Sequence, residues 1–124
     1  MAMEGRGYFL QHKSEALAAR IIKMHKYIQD SKKEYIMSKQ VLRSGTSIGA
    51  NIAESRYAQS VPDYISKLSI ALKEANETLF WTNSLYAGEF LNTNEFESIN
   101  NDVVEIIKLL TVSIKKVKAR NGLT

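Results

Sequence analysis

Cysteine is absent from the 124 residues, which excludes disulfides, thiolate metal sites and cysteine nucleophiles. A chain without cysteine fits a reducing compartment, and we read the protein as cytoplasmic. Pro62 is the single proline, so long stretches can run as unbroken helix. No apolar run approaches the ~20 residues of a membrane span, and MAMEGRGYFLQ lacks the apolar centre of a signal peptide, so no membrane partner is expected. The two histidines, His12 and His25, sit in no metal-ligand pattern with acidic residues. No Glu-x-x-His pair accompanies Glu74 and Glu77, as a di-iron bundle would require. Ser44, Ser47, Asn51 and Glu54 have no histidine or lysine base in the same motif, which leaves nucleophilic catalysis without support. The glycines of SGTSIG follow no strand, so they form no phosphate loop. The expectation is a protein that is not an enzyme and has no cofactor and no metal.

What the chain does have is helical periodicity. Leu17, Ile21, Met24 and Ile28 mark helix 1 over residues 14–29, after a start loosened by two glycines. Ser31 with Glu34 reads as a capping box opening helix 2 over 32–57. Ser60 with Asp63 repeats that pattern, Pro62 suits a first turn, and Gly88 supplies a stop, giving helix 3 over 61–87. Asn92 with Glu95 caps helix 4 over 93–119, stapled by Leu91 and Phe96; Ile99, Val103, Ile106, Leu110, Ile114 and Val117 continue its buried face. Helices 2 to 4, each about 39 Å long, joined by short links, favour an all-α, antiparallel up-down-up-down four-helix bundle in a single domain spanning 1–124.

Helix 2 carries three stripes. Met37, Val41, Gly45, Ile48 and Ile52 form an apolar seam. Gly45, Gly49 and Ala53 form a small-residue edge against which another helix should pack closely. Gln40, Ser44, Ser47, Asn51 and Glu54 form a polar seam, read either as an internal hydrogen-bond network or as a ligand site. On helix 3, Ile65, Leu68, Leu72, Ala75 and Leu79 form a core seam. Ile70, Glu74, Glu77 and Trp81 line up opposite it, which suggests a subunit interface, or a solvated face with two chance apolar residues.

The net charge of +4 is uneven. Residues 1–43 hold nine Lys/Arg against four Asp/Glu, residues 44–100 three against seven, and residues 101–124 five against two. Lys13, Arg20 and Lys23 of helix 1 should therefore join Lys115, Lys116, Lys118 and Arg120 of helix 4 in one basic surface for nucleic-acid phosphates. The alternative is a solvated lysine face with favourable cations at a helix C-terminus. KKVKAR holds no aromatic, so contact with the phosphate backbone is expected rather than base reading.

From Lys39 to Trp81, KQVLRSGTSIGANIAESRYAQSVPDYISKLSIALKEANETLFW resembles the signature of the bacterial four-helix-bundle proteins first noticed as reading frames within intervening sequences of 23S rRNA genes. With the flanking helices the resemblance covers nearly the whole chain, and SIGANIAE and IALKEANET are its least common choices. It implies a left-handed bundle assembling into a ring-like homopentamer. It also implies a nucleic-acid role on RNA or DNA, with distant relatives serving as basic accessory proteins of retroelement reverse transcriptases. Ser55 stands where the family often has glycine after NIAE. Two functional classes follow: an oligomeric nucleic-acid-binding accessory protein, or a scaffold whose ring presents a surface to a protein partner. Light scattering on the eluting protein should give a mass several times 14.0 kDa; a strict monomer at micromolar concentration would remove the interface reading of Ile70, Glu74, Glu77 and Trp81.

Overall fold

The computed structural model describes residues 6–123. They form four helices, α1 (Arg6–Lys32), α2 (Ile36–Ser55), α3 (Val61–Ala87) and α4 (Thr93–Arg120), with no strand among the described residues. α1 and α3 each pack against both α2 and α4, which makes a helical bundle with α1 diagonal to α3. Its core is one cluster to which all four helices contribute, with Leu17, Ile21, Val41, Ile48, Leu68, Leu85, Val103 and Leu110 among its members. No helix is long and apolar enough to cross a membrane.

α1 begins eight residues before the predicted start. Leu10 and Ser14 extend the Leu17 and Ile21 face by two further turns and are buried, and that packing offsets the glycine at position 7. Residues 1–5 of the expected loose start lie outside the described residues.

The capping box expected at Ser31 and Glu34 does not form. α1 continues to Lys32, Lys33 turns the chain in the left-handed region (φ 57°), and α2 starts only at Ile36. Glu34 caps α2 from outside instead, its carboxylate accepting the backbone N–H groups of Ile36, Met37 and Ser38 at 3.1, 3.1 and 2.8 Å. A charged acceptor thus satisfies three N–H groups that no helical carbonyl can reach, and its sign suits the N-terminal end of the helix dipole.

α3 and α4 begin where expected. Ser60 Oγ accepts from Asp63 N at 3.1 Å, while the Asp63 carboxylate accepts from Gln59 N rather than closing on Ser60. The reciprocal box of Asn92 and Glu95 is complete, both bonds measuring 2.8 Å. Gly88 is not the left-handed residue at the end of α3: its φ is −82°, and Glu89 takes φ 67°. What Gly88 provides is space, since a Cβ there would lie 3.1 Å from the Phe90 ring. α2 ends at Ser55, which donates to the Ile52 carbonyl at 2.6 Å. Ser55 itself is helical with no positive φ, and Arg56 after it has φ −65°, so no glycine is required after NIAE.

The small-residue edge of α2 meets α1. A Cβ on Gly45 would lie 2.9 Å from both Cγ atoms of the fully buried Ile21, whereas one on Gly49 would sit at 3.4 Å from Ser14 Oγ, an ordinary contact. Gly45→Val should therefore lower the unfolding free energy by about 1–3 kcal/mol, and pairing it with Ile21→Val should recover part of the loss. Urea denaturation of the double-mutant cycle measures this, and additive losses would show that the two residues do not compete for one space.

Candidate functional site

The two stripes that the sequence places on separate surfaces, the polar seam of α2 and the Ile70, Glu74, Glu77 and Trp81 line of α3, face one another. Arg43 joins them: its guanidinium pairs with Glu77, reaches Glu74 at 3.3 Å, and donates to Gln40 Oε1 at 3.1 Å. Trp81 Nε1 donates to the same Glu77 carboxylate at 2.9 Å, and the indole packs half-buried against the core. Beneath them Ser44 and Thr78, both fully buried, share a hydrogen bond at 2.9 Å. Ser47 donates to the Arg43 carbonyl and Asn51 to the Ser47 carbonyl, both within α2. At the far end Glu54 pairs with Lys67 at 3.0 Å, and that hydrogen bond raises the Lys67 ammonium above its ordinary range. Only the Ser44–Thr78 bond is buried between the two helices; the other polar groups of the seam bond within α2 or reach α3 at the surface. Ile70 is 36% exposed.

The buried line of α3 is Tyr64, Leu68, Ala71, Ala75, Thr78, Thr82 and Leu85, rotated from the predicted seam. Ile65, Leu72 and Leu79 are only partly buried. Two threonines on the buried line conceal it from a purely apolar reading, because each hydroxyl is satisfied by a carbonyl of its own helix.

The seven expected cations divide into two groups instead of forming one surface. Lys13 pairs with Glu105, and Arg20 pairs with Asp102 while donating to the Ser98 hydroxyl at 2.8 Å. This register sets Lys13 opposite Glu105, so Lys115 to Arg120 lie about 15–22 Å further along α4 at 1.5 Å per residue. Lys115, Lys116 and Arg120 are exposed and Lys118 is half-buried. Arg120 is close enough to act on Tyr64, whose phenol is pushed up by burial and pulled down less strongly by that guanidinium. The helix 4 cations thus belong to the bundle end where Arg56, just past α2, reaches α1, bonding Gln11 Oε1 at 3.1 Å and Tyr8 Oη at 3.0 Å.

Arg20 and Lys23 instead line an open groove of about 580 Å³ between α1 and the start of α4, which Tyr27, Asn94 and Ser98 also line. No cluster of three potential metal ligands occurs among the described residues. His12 is exposed, 3.7 Å from Glu15, and His25 packs with Nδ1 3.0 Å from the Ser38 carbonyl.

The family described as 23S rRNA-intervening sequence protein matches residues 9–112. The chain belongs to this family. Among solved structures, it is similar to a Bacteroides thetaiotaomicron protein of unknown function from the S23 ribosomal protein family. The two are 50% identical, with a TM-score of 0.88, over 90% of this chain and 99% of that one. No curated protein matches.

In this member of the 23S rRNA-intervening sequence protein family, the residues that sequence reasoning missed are Arg43 and Tyr27, while Glu34, expected in a box with Ser31, caps α2 without it. Arg43 lies on the edge of the polar seam, and its spacing from Gln40 and Ser47 was the available signal. Tyr27 follows Lys23 by four residues and Arg20 by seven, which sets an aromatic on the same face as the two cations. Ser44→Ala should cost about 1 kcal/mol by removing the buried bond to Thr78, whose hydroxyl keeps the Glu74 carbonyl. Arg43→Gln, which leaves Glu74 and Glu77 without their cation, should cost about 1–3 kcal/mol, and Glu54→Gln at the exposed end less than ~0.5 kcal/mol. Chemical denaturation of the three variants checks the order; a Glu54→Gln loss as large as that of Arg43→Gln would contradict it.

Proposed function

We propose that this protein is a non-enzymatic nucleic-acid-binding accessory protein, an up-down-up-down left-handed bundle working as a ring-like homo-oligomer, preferably a pentamer. The observation that carries the reading is the imbalance of charge at the end of α4. Glu105 and Asp102 are taken by Lys13 and Arg20, while Lys115, Lys116, Lys118 and Arg120 have no ion pair among the described residues. Four cations within six residues on the last turns of one helix favour an anion outside the chain, and repetition around a ring would multiply their effect. The pairings of α1 with α2, α2 with α3 and α1 with α4 support the topology, since partner numbers fall along one helix as they rise along the other. The family description and the S23 ribosomal label of the Bacteroides relative make RNA the first probe.

A second reading, a scaffold for a protein partner, has its own support. Ile36 is 77% exposed and Phe80 61% exposed, and Tyr35 lies beside Ile36 at 49%. Such apolar surface suits contact with a protein more than contact with phosphates.

Titration of structured RNA and duplex DNA at ~0.15 M salt distinguishes the readings. On the first, log affinity falls linearly with log salt at about 0.7–0.9 per phosphate neutralised, and changing Lys115, Lys116, Lys118 and Arg120 to Gln flattens that slope without altering the oligomer mass. No binding below ~100 μM, the weak end of non-specific affinity, leaves the scaffold reading.

A further inference from the structure

The groove between α1 and the start of α4 joins three kinds of surface. Met24 and Leu91 give it apolar sides, and the buried Ile99 lies beneath. Tyr27, 37% exposed, supplies an aromatic face with the Lys32 ammonium 5.9 Å from its centroid. Arg20 and Lys23 supply positive charge at the rim. Arg20 is held in place by Asp102 and by the Ser98 hydroxyl and carbonyl, whereas Lys23 has no ion pair among the described residues. The one carboxylate in the lining, Glu95, is turned to the backbone by its bond from Asn92 N. Asn94, with no hydrogen bond of its own among the described residues, offers both a donor and an acceptor. The volume of about 580 Å³ lies in the range of small-ligand sites, roughly 300–1,000 Å³.

We propose that this groove takes one unpaired nucleotide, with its base against Tyr27 and the apolar sides and its phosphate on Lys23 beside the fixed Arg20 guanidinium. A flat ring with a polar edge and an attached phosphate is the chemistry that uses all three surfaces together. A duplex cannot use the groove, because its bases are stacked inside it and only its phosphates are presented. The proposal rests on the nucleic-acid reading above and adds to it a distinct site, a preference for single strands, and a dependence on an aromatic residue.

The test measures binding of a short labelled single-stranded RNA and of a duplex RNA of equal length, with AMP as competitor. The proteins compared are the parent, Tyr27→Ala, Tyr27→Phe, Lys23→Gln and the four-cation Gln variant of α4. Tyr27→Ala should weaken single-strand binding by roughly tenfold or more, the usual effect of removing a stacking platform, and should leave duplex binding unchanged. Tyr27→Phe should bind like the parent, and Lys23→Gln should flatten the salt dependence of the single strand. Competition by AMP against the parent identifies a free nucleotide as sufficient. Its failure alongside a Tyr27-dependent affinity for RNA also supports the site, with the polymer as the source. Tyr27 is partly exposed, so thermal melting of Tyr27→Ala should match the parent and exclude a folding defect. A Tyr27→Ala protein that binds the single strand as tightly as the parent overturns the groove; if the duplex still depends on the α4 cations, the nucleic-acid reading survives it. Absence of all RNA binding overturns both.

Discussion

Gly45 has no side chain where Ile21 of α1 reaches α2, and that missing Cβ lets a β-branched residue enter the space of the neighbouring helix. The other contacts of the α1–α2 seam take their positions from this one. Ser14 lies against Gly49, His25 reaches the Ser38 carbonyl, and Arg56 returns to Gln11 and Tyr8. Fixing α1 closely against α2 in turn determines how α1 meets α4. There charged pairs join the helices, Lys13 with Glu105 and Arg20 with Asp102, and beyond Arg20 the seam opens into a groove.

The opposite edge of α2 solves a different problem. An edge of serine, asparagine and glutamine cannot enter a bundle unless its hydrogen-bonding groups are matched, because an unpaired buried group costs more than a made bond returns. Short side chains of α2 satisfy themselves on carbonyls of their own helix, and the longer reach is left to Arg43, which serves two carboxylates of α3 together with Gln40. Lys13, Arg20, Arg43 and Lys67 each meet a carboxylate of another helix. The cations at the end of α4 are set apart by their crowding: four fall within six residues, with no ion pair among the described residues.

These two facts separate the electrostatics from the shape. The end of α4 is dense in charge, whereas the groove has a cavity, an aromatic wall and a modest charge. A polyanion meets the first through its phosphates alone, which confers no preference among sequences. A flat ligand with one anionic group meets the second.

The sequence by itself determined the four helices, the caps at Ser60 and Asn92, and the glycine edge, because each depends on residues within a few positions of one another. Local spacing also located the apolar seam of α2 and that of α4. It could not determine how far α1 extends, since Gly7 is tolerated only because Leu10 and Ser14 find a place in the core. It could not determine the start of α2 either, where Ser31 competes with a continued α1 and Glu34 caps from outside the helix. Tertiary structure alone set the polar seam of α2 against the carboxylates of α3, because periodicity reports which residues share a face and not which helix that face meets. The same limit applied to the cations: charge counts placed nine in the first 43 residues and five in the last 24, but only the register of α1 on α4 decided that Lys13 would be neutralised, that Arg20 would be held beside a groove, and that Lys115 to Arg120 would stand at the far end of the bundle.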